Sequence, residues 1–179
     1  MPRHCRAGFS LLEVLIALSV LAAGVLGALV FLLMTLRTAQ NTERQSQALH
    51  LASDIAERLR GSATHPEIVE LLAGLDYDAG ASAAPVRPAV SCHDRWCSAK
   101  QLVEVELYEW KMRIRAELSG GRMRICHDEM PWQESTGAWR WDCGSAGAAS
   151  APLWVKVGWR DRVAGATPDA PGIVLPVLP

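Results

Sequence analysis

No charged residue and no proline lies between Val14 and Leu36. That gap excludes a surface helix or loop and leaves about 35 Å of apolar helix, enough for a hydrocarbon core of ~30 Å. No acid occurs in Met1–Gly8, which carries Arg3, His4 and Arg6. A basic stretch of this kind stays on the cytoplasmic side, so everything after Arg37 is expected to be exported. No Lys/Arg cluster stands out, and formal charge is −1, which gives no footprint for nucleic-acid binding. Recognisable Ser/His/Asp sets, phosphate loops and paired-carboxylate motifs are missing, which counts against an enzyme. Asp128-Glu129 and Glu104, Glu106 and Glu109 read as solvated charge. Finally, there is no Cys-x-x-Cys of the thioredoxin kind.

The apolar run is too long for a secretory signal, whose apolar part is ~7–15 residues before a small-residue cleavage site. Ala22-Ala23-Gly24 imitates such a site, but apolar sequence continues past it. Glu13, at the head of the run, is the anomaly. A carboxylate at a bilayer centre costs roughly 2.5–3.5 kcal/mol, less near the interface, and an intramembrane acid calls for a partner. The bland alternative is a span that begins at Val14 and leaves Glu13 among the headgroups.

Gly8, Phe9, Glu13 and the apolar helix after them resemble the class III signal of type IV prepilins and pseudopilins. The resemblance implies cleavage between Gly8 and Phe9 by prepilin peptidase and N-methylation of Phe9. It also implies an assembly role for Glu13, paired with the N-terminal amine of a neighbouring subunit. Cleavage frees an amine at Phe9 that is largely cationic near neutrality, and a buried carboxylate needs such a charge. The implied partners are the peptidase, other minor and major pilins, the inner-membrane assembly platform and the lipid bilayer. No cofactor is implied. The implied location is the bacterial inner membrane, with the C-terminal domain in the periplasm, and then the pilus at the cell surface.

Past the membrane segment, Gln40–Arg60 contains neither glycine nor proline. Ala48, Leu51, Ala52, Ile55, Ala56 and Leu59 form one apolar stripe at helical spacing. Glu43, Arg44, Gln47, Asp54 and Glu57 take the other side, and Gly61 reads as the C′ stop. The expected division is a leader at residues 1–8, a membrane or filament-core helix at 9–36, its amphipathic continuation at 37–61 and a globular periplasmic domain at 62–179. Too few clean heptads are present for a coiled coil.

Thr64-His65-Pro66-Glu67 predicts a short helix, and Asp76–Pro88, rich in Ala, Gly and Pro, predicts a mobile loop. Ser98 and Gln101 fit a capping box. Val103, Leu107, Trp110, Ile114 and Leu118 then share a helical face, although the start of the stretch also alternates like a strand. After the turn at Ser119-Gly120-Gly121, strands are expected at Met123–Cys126, Trp139–Cys143 and Trp154–Trp159. Ile173–Leu175 makes a fourth, held to an edge by Pro176. The fold class is therefore α+β, a long N-terminal helix packed on a small antiparallel sheet, as in pilins.

Cys5 lies in the leader. Cys92, Cys97, Cys126 and Cys143 remain, an even number in an oxidising compartment, which allows two disulfides in three connectivities. Sequence-local pairing, Cys92–Cys97 and Cys126–Cys143, is the favoured reading. A zinc site with His93 and His127 is the rival, but the Cys92–Cys97 gap is wide for a zinc knuckle. Seven tryptophans invite a sugar-stacking reading, against the commoner use in cores and interfaces.

The later order resembles one branch of the same family, the PilV minor pilins or type IV pilus modification proteins. The carrying residues are Cys97, Trp110, Leu118-Ser119-Gly120-Gly121, Cys126 and Trp154–Asp161, with Ser119 where that branch often has proline. The implied function is a minor pilin that takes part in pilus assembly or priming. Its alternatives are a minor pseudopilin of a type II secretion system and a single-pass membrane-anchored periplasmic sensor or binding domain.

Overall fold

The computed structural model describes residues 10–62, 64–144, 151–160 and 170–177. The chain divides into two units, Met1–Thr42 and Glu43–Pro179, and each is taken by itself.

Helix α1 (Leu11–Gly61) is 51 residues long and begins in the first unit. Its apolar part is long and apolar enough to cross a membrane, and none of that part is buried within the protein. Leu11, Val20, Phe31 and Leu36 all point outward. The few hydroxyls here carry no unmet donor. Ser19 Oγ donates to the Leu15 carbonyl at 2.8 Å, Thr35 Oγ1 to Leu32 at 2.8 Å and Thr38 Oγ1 to Met34 at 3.0 Å. Folded back on the helix in this way, a hydroxyl tolerates a surrounding without water.

In the second unit, the expected stripe of α1 is fully buried, with Ala48, Leu51, Ala52, Ile55 and Ala56 at 0 % exposure. Gly61 closes the helix as its last residue rather than as a left-handed C′ stop. The described glycines with positive φ are Gly74, Gly120 and Gly137. The final turn is tied instead by the Ser62 amide, which donates to the carbonyls of Arg58 and Leu59.

Helix α2 (Pro66–Leu72) starts at its proline and buries Ile68 and Leu72. Helix α3 (Ala99–Glu117) carries the capping box: Gln101 N donates to Ser98 Oγ at 3.4 Å and Ser98 N to Gln101 Oε1 at 3.0 Å. Helical rather than strand periodicity prevails, because Val103, Trp110 and Ile114 go to the core together. Between α1 and α3 run Arg113–Asp54 at 2.9 Å and Arg58–Glu106 at 3.5 Å. Glu106 is thus not solvated charge: burial pushes its carboxyl up, against the pull of Arg58.

The main sheet has strands β1 (Asp76–Asp78), β2 (Arg122–His127), β5 (Leu153–Gly158) and β6 (Ile173–Val177), in the order β1-β2-β5-β6 and antiparallel throughout. Strands β3 (Trp132–Gln133) and β4 (Ala138–Trp139) make a separate hairpin. Met123, Ile125, Leu153, Val155 and Val157 join the buried helix faces in one core. This is the α+β arrangement expected, a helix on a small antiparallel sheet. Pro176 sits on the edge strand, where a missing amide does least harm, and its carbonyl accepts from Arg60 at 3.3 Å.

Two segments differ from the elements expected of them. Asp76–Pro88 begins with strand β1, not a loop, and the turn after it is pinned. Asp78 Oδ1 accepts the Gly80 amide at 2.7 Å, and Arg160 reaches Asp78 Oδ2 at 3.2 Å. The Arg160 side chain fits because Gly80 and Gly120 leave it room; a Cβ at Gly120 would lie 2.7 Å from its Cδ. Trp139–Cys143 is not a strand beyond Trp139. After the Arg140 amide, which still donates to the Pro131 carbonyl at 2.9 Å, the chain to residue 144 leaves the ladder and crosses the outer face of the sheet, for reasons given below. Asp161, at the end of the tryptophan-rich segment, lies outside the described residues.

Removing atoms from the stripe should be costly. Ile55→Ala is expected to lower unfolding free energy by about 2–5 kcal/mol, whereas Leu49→Ala, on the exposed side, should change it by under about 0.5 kcal/mol. Denaturant titration of the full chain in detergent, followed by near-ultraviolet circular dichroism, checks both.

Candidate functional site

Of the residues expected to carry processing and assembly, Gly8 and Phe9 lie outside the described residues. Ser10 and Glu13 are described. The helix starts on Ser10, whose carbonyl accepts the amides of Glu13 at 3.0 Å and Val14 at 3.3 Å. Ser10 Oγ accepts the Leu12 amide at 3.3 Å. Glu13 falls in the first turn and is exposed. A negative charge there faces the positive end of the helix dipole, typically worth ~0.3–1 kcal/mol at an exposed site. Local structure therefore offers the carboxylate partial compensation, and no cationic side chain comes from its own turn.

Four of the five cysteines are joined as Cys92–Cys97 and Cys126–Cys143, with Cα separations of 5.6 and 6.1 Å. Among the described residues no group of three or more His, Cys, Asp or Glu side chains could hold a metal. His93 is exposed, and the Nδ1 of His127 lies 2.6 Å from the Ala151 carbonyl. The tryptophans divide. Trp110 is 1 % exposed, while Trp96, in the loop closed by Cys92–Cys97, is 100 % exposed. Trp132 and Trp139 meet edge to face with centroids 5.0 Å apart.

The strongest polar constellation was not expected from the sequence. Alternation along β5 sends Leu153, Val155 and Val157 to the helices and Trp154, Lys156 and Gly158 to the other face. That face is covered as well, so Lys156 and Asp128 both have side chains at 0 % exposure. Lys156 Nζ donates to Asp128 Oδ2 at 2.6 Å and to the carbonyls of Arg140 and Asp142, each at 3.0 Å. All three ammonium protons are used. Asp128 Oδ1 accepts from Arg140, the Met130 amide and the Gly144 amide, each at 3.1 Å.

Burial raises the Asp128 carboxyl, but Lys156, Gly144 and Met130 together outweigh it and hold it below the ordinary carboxylate value. Burial draws the Lys156 ammonium below its ordinary value, against the pull of Asp128. The geometry decides for an ion pair, since every ammonium proton has an acceptor and the carboxylate has several donors. Asp128 is therefore not solvated charge. The signal that could have found the pair is a lysine between Val155 and Val157, in a strand too apolar to have a wet face.

This cluster explains the loss of the Trp139–Cys143 strand. The carbonyls of Arg140 and Asp142 turn inward to Lys156 and leave no ladder. Trp141 follows, 7 % exposed, lying where a Cβ on Gly158 would come within 2.8 Å of its ring. The Arg122 guanidinium stands 4.6 Å over the same ring.

Residues 3–29 match the family model described as the prokaryotic N-terminal methylation motif. No curated protein and no solved structure matches the chain. The chain thus carries a type IV prepilin-like signal at its N-terminus. That signal supports the prepilin family over an enzyme and fits anchoring in the inner membrane.

Lys156→Met should cost about 3–5 kcal/mol of stability, because Asp128 stays buried and loses the cation on its Oδ2, with only the partly exposed Arg140 left to pair with it, and Lys156→Met with Asp128→Leu should recover much of the loss. The acid limb has a definite sign. A carboxyl whose folded value is depressed stabilises fully above its unfolded value, near the ordinary carboxylate range, and loses that contribution as pH falls through the folded value. Urea midpoints measured down an acid series should therefore fall less steeply in Asp128→Asn than in the parent.

Proposed function

We propose that this chain is a minor pilin of a type IV pilus, taking part in pilus assembly or priming. The observation that carries the reading is the methylation motif at residues 3–29 running into a helix long and apolar enough to cross a membrane. Prepilin peptidase cuts between Gly8 and Phe9 and methylates Phe9. The processed subunit waits in the inner membrane with its globular domain in the periplasm. It then leaves lipid for a filament, where its apolar helix packs against those of other minor and major pilins at the assembly platform.

Glu13 gives that transfer a direction. In the bilayer, the compensation that the described residues offer it is the helix N-terminus. Beside the cationic amine of a neighbour it gains a full opposite charge, at a low dielectric where such a pairing counts most. The role in this reading is structural, not enzymatic. The sequence order around Trp110, Gly120-Gly121 and Trp154–Trp159 favours the PilV branch. A pseudopilin of a type II secretion system shares the signal and the stalk, and co-purification with pilus or secretion components separates the two. A single-pass sensor or binding domain would keep residues 1–8.

Three outcomes check the reading. Intact-mass and N-terminal peptide analysis of chain from cells with an active peptidase should find a start at Phe9 with one added methyl group; a chain still starting at Met1 overturns the proposal. Gly8→Ala should accumulate almost wholly unprocessed on a gel. Glu13→Ala should be inserted and cleaved normally yet be depleted several-fold in sheared pili. Wild-type amounts there would remove the pairing role from Glu13.

A further inference from the structure

The disulfide Cys126–Cys143 and the buried pair Lys156–Asp128 share one short segment. Arg140 and Asp142 supply two of the three acceptors around Lys156 Nζ, and Arg140 and Gly144 supply two donors to Asp128. Cys143 lies inside that segment and is bonded to Cys126 on β2. Beyond that cluster the segment is held by Trp141 under the Arg122 guanidinium, by the Arg140 amide donating to the Pro131 carbonyl at 2.9 Å, and by an exposed Asp142–Arg124 pair at 3.8 Å. Its residues belong to no strand or helix, and the hairpin before it, β3–β4, has two residues in each strand. A hairpin of that size is not stable alone. The cover over two buried charges therefore depends on a covalent tie that spans a sequence separation of 17.

We propose that Cys126–Cys143 is a redox latch on this cover: as a disulfide it closes residues 140–144 over Lys156 and Asp128, and as a dithiol it lets the segment lift and both charges take up water. The physics favours lifting once the tie is gone. Closing a loop of this length without a cross-link lowers the closed population by roughly a hundredfold. The charges lose little by opening, since hydration replaces what the buried pair supplied. The helix-facing core lies on the other side of the sheet and need not open. Met123, Ile125, Val155 and Val157 pack there with α1 and α3.

The chemistry balances. In closing, the two thiols form one S–S bond and give up two protons and two electrons. A disulfide-bearing oxidant, protein or small molecule, accepts them and becomes a dithiol. In opening, a thiolate attacks at Cys143, the less buried of the two cysteines, and passes through a mixed disulfide before a second thiol releases it. The outer layer would thus be completed only where such an oxidant is present, on the exported side of the membrane. The inference stands independently of any pilus role.

The lysines Lys100, Lys111 and Lys156 make the latch readable. The full chain in detergent, carrying Cys92→Ser and Cys97→Ser so that one disulfide remains, is equilibrated in oxidised or reduced glutathione. It is then pulsed with a water-soluble amine-acylating ester and mapped by mass spectrometry. Hydrogen exchange is followed in parallel. In the disulfide form Lys156 should react at least about tenfold more slowly than exposed Lys100, and in the dithiol form within about threefold of it. The amides of Met123, Ile125, Val155 and Val157 should stay protected in both. Two results overturn the proposal: Lys156 still protected after reduction, or core amides exchanging together with Lys156, which would make the disulfide a staple of the whole fold.

Discussion

Lysine and aspartate side chains are seldom fully buried, and burial of either charge alone costs several kcal/mol. Here Lys156 and Asp128 share one dry site, and much of the outer half of the globular unit can be understood as what that site requires. Two carbonyls must face the ammonium, so residues 140–144 abandon strand geometry. The carboxylate must have donors, so the amides of Met130 and Gly144 turn toward it and Arg140 folds in. Trp141 then covers the bare backbone of Gly158. A buried pair of this kind is weak evidence for stability, since an apolar substitute of the same volume often does as well. What it does here is position: it brings a hairpin, a crossing segment and a disulfide to one point on the sheet.

The opposite face of the sheet follows a simpler rule. Apolar residues at period two on β2 and β5 meet apolar residues at helical period on α1 and α3, and the charged contacts between the helices stay at the margin. Burying one stripe and one face needs no special partner, because the hydrophobic effect is non-directional. This is why the helix-facing core tolerates description by pattern alone, whereas the outer layer has to be described bond by bond.

Helix α1 also changes solvent along its length. From Leu11 to Leu36 its apolar side chains face outward on every side, and the hydroxyls of Ser19, Thr35 and Thr38 are returned to the backbone. From Ala48 on, one stripe is buried and the rest, apart from Leu49, is mostly polar. The first pattern suits lipid or the interior of a bundle, the second a domain packed on one side. A single charge, Glu13, interrupts the first pattern, and it does so in the opening turn, where the helix itself supplies part of the compensation.

Much of this was legible in the residues themselves. Charge and hydropathy along residues 3–36 carry the prepilin-like signal, because insertion and recognition read local chemistry at fixed spacing. The stripe of α1, the capping box of Ser98 and Gln101, the helix around Trp110 and the edge position of Ile173–Leu175 are also local patterns, and local patterns need only their neighbours. Strand β1 was hidden because three residues, Asp76–Asp78, are too few to show alternation; β2 makes them a strand by pairing with them. The same holds for the outer layer. Asp128 and Lys156 are far apart in sequence, each looks like ordinary surface charge, and only the register that sets Arg124 opposite Lys156 and Cys126 opposite Trp154 puts them on one face. Sequence thus determined what each segment can be, since propensity and periodicity act over a few residues. Tertiary structure decided which charges are dry, because desolvation depends on what lies across the sheet rather than along the chain.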